Sequence, residues 1–263
     1  MWYAKNTGSY AIGSNEANEN CKEIYNYLNA QGYVLEAVCA VIGNINRECG
    51  FNPWQWENWY GYNSRITTSN YNRQSGGYGL MQFTPYPATP YPNIQPYVDS
   101  PIAQSLIYYA PNFYDQPGSP TDGNGQLEFM HYQMFTQSPS EWFAQTPGSN
   151  QYNAYLNALA GINVDYTRFY NMTASQFKIA TGPDPNQVYY RNDWIGAFAT
   201  CYLRPTSTYL ARDWSVMTDA FDYYYLYLAG YTPQPPEPPV PPGPVPPHQR
   251  KGMPVWMMID YRY

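Results

Sequence analysis

The stretch "VLEAVCAVIGNINRECG", residues 34–50, carries the clearest folding signal in the chain. Its inward positions recur at intervals of four, three, four and three residues, which is the period of one face of an α-helix. The positions on this face are Val34, Val38, Val41, Ile45 and Glu48. Gly50 follows as a stop signal, because glycine readily takes the left-handed backbone that ends helices. We therefore predict a buried helix that ends with a carboxyl group on its apolar face.

The end of this helix is an unusual place for a carboxylate. Burial disfavours the ionised form of Glu48, and the unpaired carbonyl groups of the last helical turn disfavour a negative charge as well. Both effects predict a raised pKa for Glu48, so that the side chain still carries its proton near neutral pH. A general acid needs to be in this state. Glu48 is therefore a candidate catalytic acid.

Aromatic side chains crowd the loop that follows Glu48, at Trp54, Trp56, Trp59, Tyr60 and Tyr62. Their flat apolar faces are suited to sugar rings, which have apolar faces and hydroxyl edges, so we predict substrate contacts for Trp54 and Trp56. A purely structural interpretation stays open beside this one. Glu48 could form a salt bridge with Arg47 or Arg65, and the tryptophans could belong to the core.

Helical signals dominate the rest of the chain up to about residue 230. Residues 16–30 and 188–203 are predicted helices, and Thr173 with Gln176 forms a capping box that opens another. A last helical face runs through Leu210, Trp214, Met217, Phe221, Tyr224 and Leu228. Residues 51–122 are rich in Pro, Gly, Asn and Ser, which predicts long loops with one helix near "PIAQSLIYYA" at residues 101–110. The fold class is therefore mainly α.

Composition excludes several classes of function. The net charge of −6 and the pI near 4.8 give no electrostatic attraction to nucleic acid or to anionic lipid. No apolar run reaches the length of a membrane span, and no export signal is visible at the start of the sequence. Two histidines and four cysteines without metal-ligand spacing predict neither a metal site nor a cofactor. We interpret the cysteines as small buried apolar residues, with a disulfide as the alternative.

Two motifs resemble the phage tail lysozyme family. "GNINRECGFNP" at residues 43–53 resembles the helix end that carries the family's catalytic Glu, and "GGYGLMQFTPY" at 76–86 resembles its Gly-Tyr-Gly-Leu-x-Gln segment and the "GLMQ" of lytic transglycosylases. "FATCYLRP" at 198–205 resembles its closing section. The resemblance covers about residues 1–230, and the first two motifs together are specific where either alone is weak.

This resemblance implies a lysozyme-like helical domain with long loops, in which Glu48 is the catalytic acid/base. It also implies that Tyr78, Gly79, Met81 and Gln82 line the sugar groove. Cys49 stands where the family usually carries Ser, so the orientation of Glu48 must be set in another way. Lytic transglycosylases work with one Glu, so hydrolysis and 1,6-anhydro ring closure both stay open. Candidates for a second carboxylate lie in loops, at Glu57, Asp99, Asp115 and Asp122.

The function implied by the resemblance is cleavage of the MurNAc-GlcNAc strand of bacterial peptidoglycan by a phage tail enzyme that opens the wall during DNA entry. Location on the virion agrees with the lack of a visible export signal. Two alternatives remain. The chain could be a wall-binding module that uses the same groove without cleavage, or a structural tail component that has kept only the fold.

The chain divides into three parts, at residues 1–231, 232–248 and 249–263. The first is the predicted catalytic domain. The second contains "PQPPEPPVPPGPVPP", whose prolines lack amide protons and predict a polyproline II spacer of about 45 Å. The third is a short apolar tail with Met253, Trp256, Met257 and Met258, which we predict to dock on another tail protein or on a second copy of the chain.

Overall fold

The computed structural model describes residues 2–5, 8–55, 76–86, 123–137, 142, 146–166, 172–179 and 189–233. Eight α-helices and one hairpin lie within these ranges. The helices are α1 Asn15–Ala30, α2 Leu35–Cys49, α3 Asn124–Tyr132, α4 Asn150–Leu159, α5 Ala174–Ile179, α6 Tyr189–Ala197, α7 Ser207–Arg212 and α8 Trp214–Ala229. Two of them continue into π-helical turns, α3 through Gln133–Gln137 and α6 through Phe198–Leu203. The predicted mainly α class is confirmed.

Helix α2 is the centre of the domain. It packs most extensively against α8 and also contacts α1 and α6, and nearly all of its length is buried. Gly43 allows α8 to come close, because a Cβ atom at this position would lie 2.6 Å from the carbonyl oxygen of Met217. Asn44 ties α2 to α6 by donating a hydrogen bond to the carbonyl of Ile195 at 3.4 Å. The residues that end α2 are therefore held in a rigid frame.

The helices predicted from periodicity are present. The predicted helix at 16–30 is α1, the one ending before Gly50 is α2, and the region 188–203 is α6 with its π turn. The capping box is formed, since Thr173 N–H donates to Gln176 Oε1 at 2.8 Å and Gln176 N–H donates to Thr173 Oγ1 at 3.2 Å. All six residues of the last predicted face are buried. That face is divided between two helices, because the backbone leaves helical geometry at Asp213.

The prediction of loops throughout residues 51–122 was incomplete. Within this region, Gly76–Tyr78 (β1) and Phe83–Tyr86 (β2) form an antiparallel hairpin in which Gly76 pairs with Tyr86 and Tyr78 with Phe83. The helix predicted near 101–110 lies outside the described residues, as do the proline segment and the apolar tail.

All four cysteines are free and buried, which confirms their interpretation as small apolar core residues. Burial raises the pKa of the Cys201 thiol to about 12, so this group stays neutral at any physiological pH.

Candidate functional site

Glu48 occupies the last turn of α2, and its side chain is 13% exposed. Of the other positions on its face, Val38, Val41 and Ile45 are fully buried and Val34 is half-buried, so the carboxyl group lies at the edge of the core, as the spacing predicts. The helix ends at Gly50, which caps it in left-handed geometry with φ of 50° and donates its N–H to the carbonyl of Asn46 at 2.9 Å. The chain then turns sharply, which places the next loop beside Glu48.

Asn52 holds this loop to the start of the described chain. Its amide nitrogen donates to the carbonyls of Lys5 and Gly8 at 2.9 and 2.8 Å, and its Oδ1 accepts from the backbone N–H of Trp54 at 3.2 Å. Asn52 is fully buried, so these bonds replace all of its contact with water. The Asn in "GFNP" therefore shapes the loop behind the candidate acid.

The second motif is locked onto this same loop. The turn between β1 and β2, residues 79–82, docks against residues 53–55, because Gly79 N–H donates to the carbonyl of Gln55 at 2.8 Å. Gln82 adds a bond from its Nε2 to that carbonyl at 3.3 Å. The two sequence motifs, although about thirty residues apart, are thus neighbours in space.

A third segment, in α3, clamps the two motifs together. Gln126 is 2% exposed, and its Oε1 accepts from Leu80 N–H at 2.7 Å while its Nε2 donates to the carbonyl of Pro53 at 2.7 Å. Gly79 must be glycine here, since its φ is +75° and a Cβ atom would lie 2.0 Å from Gln126 Oε1. We call these residues, Pro53, Gly79, Leu80 and Gln126, the amide clamp. Sequence reasoning missed Gln126, because no local pattern links it to either motif.

The predicted substrate-contacting residues have different surroundings. Trp54 is 5% exposed, and its buried indole Nε1 meets no hydrogen-bond partner within the part of the chain that the structure describes. Met81 is 4% exposed and packs in the core, where it anchors the turn. Gly79 and Gln82 lie in the turn itself, and the backbone of Tyr78 lies in β1. The role of these five residues at a substrate stays a prediction.

Some of the candidate residues lie outside the described residues. They are Trp56, Trp59, Tyr60, Tyr62 and Arg65 of the aromatic loop and the four candidate second carboxylates Glu57, Asp99, Asp115 and Asp122.

Charged side chains form a network around Glu48. Arg47 pairs with Glu48 through Nη1 and Oε1, which is one of the two salt bridges that the sequence left open. The same guanidinium donates from Nε to Oδ2 of Asp213 at 3.3 Å. Asp213 in turn accepts from Arg212 at 2.6 and 2.9 Å. Helical spacing did not reveal Asp213, because it lies between the buried positions of the last face.

Cys49, which replaces the usual Ser, is fully buried behind Glu48. Burial, and next the charge of Glu48, raise the pKa of its thiol, while the nearby backbone N–H groups of Phe51 and Asn52 lower it. The side chain at this position therefore lies beside backbone donors of the turn after the helix. A serine oxygen could accept hydrogen bonds from them.

Replacing Cys49 by serine should change the free energy of unfolding by about 1 kcal/mol or less, because the new hydroxyl lies beside two backbone N–H groups from which it can accept hydrogen bonds. Cys39→Ser is the matched control, since this thiol is equally buried and meets no backbone donor among the described residues. It should lose more stability, about 1 to 3 kcal/mol. Urea denaturation measures both, and a reductant should leave the wild-type melting temperature unchanged. A Cys49→Ser loss as large as that of Cys39→Ser would contradict the hydrogen-bonding role.

Among residues that the structure describes, no three or more His, Cys, Asp or Glu side chains are grouped so that they could hold a metal ion. In the same parts of the chain, no helix combines the length and the apolar character needed to cross a bilayer.

Comparison with known proteins finds a family model whose match includes both motifs. Residues 19–175, more than half of the chain, match the family described as phage tail lysozyme. "Morphogenesis protein 1" of Bacillus phage B103 is 33% identical over 93 residues, which cover 35% of this chain and 21% of that protein. The chain thus spans about a fifth of the length of this relative. Both α2 and the amide clamp lie inside the matched family region, and the chain belongs to the phage tail lysozyme family.

Proposed function

We propose that this chain is a phage tail enzyme that cleaves the MurNAc-GlcNAc strand of peptidoglycan, with Glu48 as the general acid/base. Membership of the phage tail lysozyme family supports a lysozyme-like glycosidase acting on peptidoglycan. The observation that carries the catalytic assignment is the position of Glu48, a largely buried carboxyl group at the end of α2, directly before the loop to which the second motif is clamped.

The chemistry requires a proton on the oxygen of the departing sugar. Glu48 would donate this proton as the glycosidic bond breaks, and the carboxylate left behind would then accept a proton from the attacking group. In hydrolysis the attacking group is water. In a transglycosylase it is the sugar's own hydroxyl, which closes a 1,6-anhydro ring. Both reactions use one Glu in the same two roles, so the products distinguish them.

Mass spectrometry of the muropeptides released from purified peptidoglycan tests the function and the bond type together. Hydrolysis should leave reducing sugar ends, whereas ring closure should leave products that are lighter by one water. MurNAc at the reducing or anhydro end of the products would support the proposed bond, and GlcNAc at that end would contradict it. Release of peptides without any cut in the glycan would overturn the glycosidase proposal.

A non-catalytic role is the second candidate, and the Arg47 ion pair favours it, because a guanidinium stabilises the charged form of Glu48. The family fold would then serve to bind the wall or to assemble the tail. A sedimentation assay with insoluble peptidoglycan separates these functions. Binding without glycan products would support a wall-binding module, and neither binding nor products would support a structural tail component.

We further propose that the enzyme acts from the virion and that residues 249–263 attach it there. Near the end of the described residues, the domain is still contacted by Tyr231, whose hydroxyl accepts from Asn26 Nδ2 at 3.3 Å and whose ring lies 6.1 Å from that of Tyr25. The sequence between Pro233 and residue 248 would act as the spacer.

Truncation after Pro233 should leave the activity on purified peptidoglycan near wild type and remove the protein from assembled particles. The cut spares Tyr231, so the melting temperature should stay the same. A second truncation after Gly230 is the control, because it removes the Tyr231 contacts and should lower the melting temperature. Immunoblots of purified particles measure incorporation. Equal incorporation of the Pro233 truncation and the full chain would refute the attachment role.

A further inference from the structure

The contact between Arg47 and Glu48 poses a problem for an acid catalyst. A cation in contact with a carboxyl group favours the ionised form, and a general acid must start the reaction with its proton. Both side chains are only 13% exposed, so water screens their interaction less than it would at the surface. If Arg47 acted on Glu48 alone, it would work against catalysis.

Asp213 changes the charge balance at this place. It accepts from Nε of Arg47 at 3.3 Å, and its own side chain is 17% exposed. It lies at the start of α8, where the positive end of the helix dipole favours a carboxylate. Hydrogen bonds from Arg212 lower the pKa of Asp213, and Arg47 lowers it further, so Asp213 is ionised at neutral pH. A permanent negative charge therefore contacts Arg47 at Nε, whereas Glu48 contacts it at Nη1.

Asp213 offsets part of the charge that Arg47 presents to Glu48. Arg47 contacts both carboxyl groups, while Arg212, the other partner of Asp213, is 64% exposed and is therefore more strongly screened by solvent. The Cys49 thiol on the same turn is neutral. With an ionised Asp213 beside it, Arg47 favours the ionised form of Glu48 less than it would without Asp213.

We propose that Asp213 is a positioning residue that shares Arg47 with Glu48 and weakens the effect of this cation, which helps Glu48 to keep the proton it donates to the sugar. This inference rests on the proposed function of Glu48. It adds a role for Asp213, which lies some 165 positions further along the chain and is connected to Glu48 through the Arg47 guanidinium. Arg47 then has two partners, and it can pair more closely with Glu48 after the proton has left.

The titration of the Glu48 carboxyl carbon, followed by NMR in protein with labelled glutamate, tests the proposal directly. The Glu48→Gln variant identifies the signal. In Asp213→Asn the titration midpoint should move to lower pH by about one unit, since Arg47 then acts on Glu48 alone. In Arg47→Gln it should move to higher pH. In the double variant, the effect of Asp213→Asn should be smaller than in the wild-type background.

Asp222→Asn is the matched control. Asp222 is also a carboxylate of α8 paired with an arginine, Arg191, and its loss should leave the Glu48 titration unchanged. A midpoint in Asp213→Asn that stays at the wild-type value, or that rises, would overturn the positioning role. If Asp213→Asn does not fold, Arg47→Gln is an independent test. A Glu48 titration midpoint that falls or stays unchanged in this variant also contradicts the proposal.

The pH dependence of kcat separates this inference from the proposed function. Activity should fall as the pH rises and Glu48 loses its proton, and this fall should begin at lower pH in Asp213→Asn by the same shift as the NMR titration. A titration that moves while the activity profile stays in place would show that Glu48 is not the acid, so that the proposed function fails. A titration that does not move overturns the role of Asp213, whatever the activity.

Discussion

Replacement of Glu48 by glutamine should reduce the turnover of peptidoglycan by about 10²- to 10⁴-fold, because the amide cannot donate the proton that the departing sugar needs. The protein should remain folded, with a melting temperature equal to or above that of the wild type. Arg47 keeps Asp213 as a partner, so the substitution leaves no unpaired buried cation. Release of labelled fragments from peptidoglycan measures the turnover, and differential scanning fluorimetry measures the stability.

Glu36→Gln is the matched control for this experiment. Glu36 lies in the first turn of the same helix, and it accepts a bond from the Tyr225 hydroxyl at 3.5 Å. Its replacement should leave the turnover near wild type, which would separate loss of the acid from loss of any carboxylate on α2. If Glu48→Gln retains even a tenth of the wild-type turnover, the catalytic assignment is wrong.

Replacement of Gln126 by leucine should destabilise the protein by about 2 to 5 kcal/mol and should reduce cleavage as well. Leucine has a similar volume, so the change mainly removes hydrogen bonds and leaves Leu80 N–H and the Pro53 carbonyl buried without partners. Each unsatisfied group costs about 1 to 3 kcal/mol. Because the amide clamp holds the two motifs together, the folded fraction should also show a lower kcat/KM. Urea denaturation and initial rates measure the two effects.

Gln133→Leu is the control for this prediction. Gln133 is 5% exposed, and its Oε1 accepts from the Tyr202 hydroxyl at 2.7 Å, away from either motif. Its replacement removes one hydrogen bond, so the free energy of unfolding should fall while the kcat/KM of the folded protein stays unchanged. Equal kcat/KM for Gln126→Leu and the wild type would show that the clamp supports the fold and has no part in arranging the site.

The helical frame could be predicted because its signals are local. Buried faces at helical spacing revealed α1, α2 and α8, and the capping box revealed α5. Other elements escaped because their local signals are weak. In α4 only Tyr155 and Leu159 are buried, and Leu156 is 38% exposed, so the apolar face is too narrow to recognise. The hairpin strands have three and four residues and include glycines and a proline.

The candidate site was predictable only in part, for the same physical reason. The partial burial of Glu48 follows from the face of α2, and the pairing with Arg47 was one of two possibilities that the sequence left open. The contributions of Gln126 and Asp213 depend on contacts between distant segments, which spacing along the chain does not encode. The end of α7 at Asp213 was hidden as well, because Leu210 and Trp214 continue the helical spacing across it.

The amide clamp also has a consequence for how this domain can diversify. Residue 56 follows Gln55, whose carbonyl accepts a hydrogen bond from Gly79 N–H. Residue 122 precedes Gly123, which lies three positions before Gln126. The segments 56–75 and 87–122 therefore begin and end at residues whose positions the clamp and the hairpin set. These positions depend on contacts that lie outside the two segments. A change in the length of either segment should therefore leave the end of α2, and with it Glu48, in place.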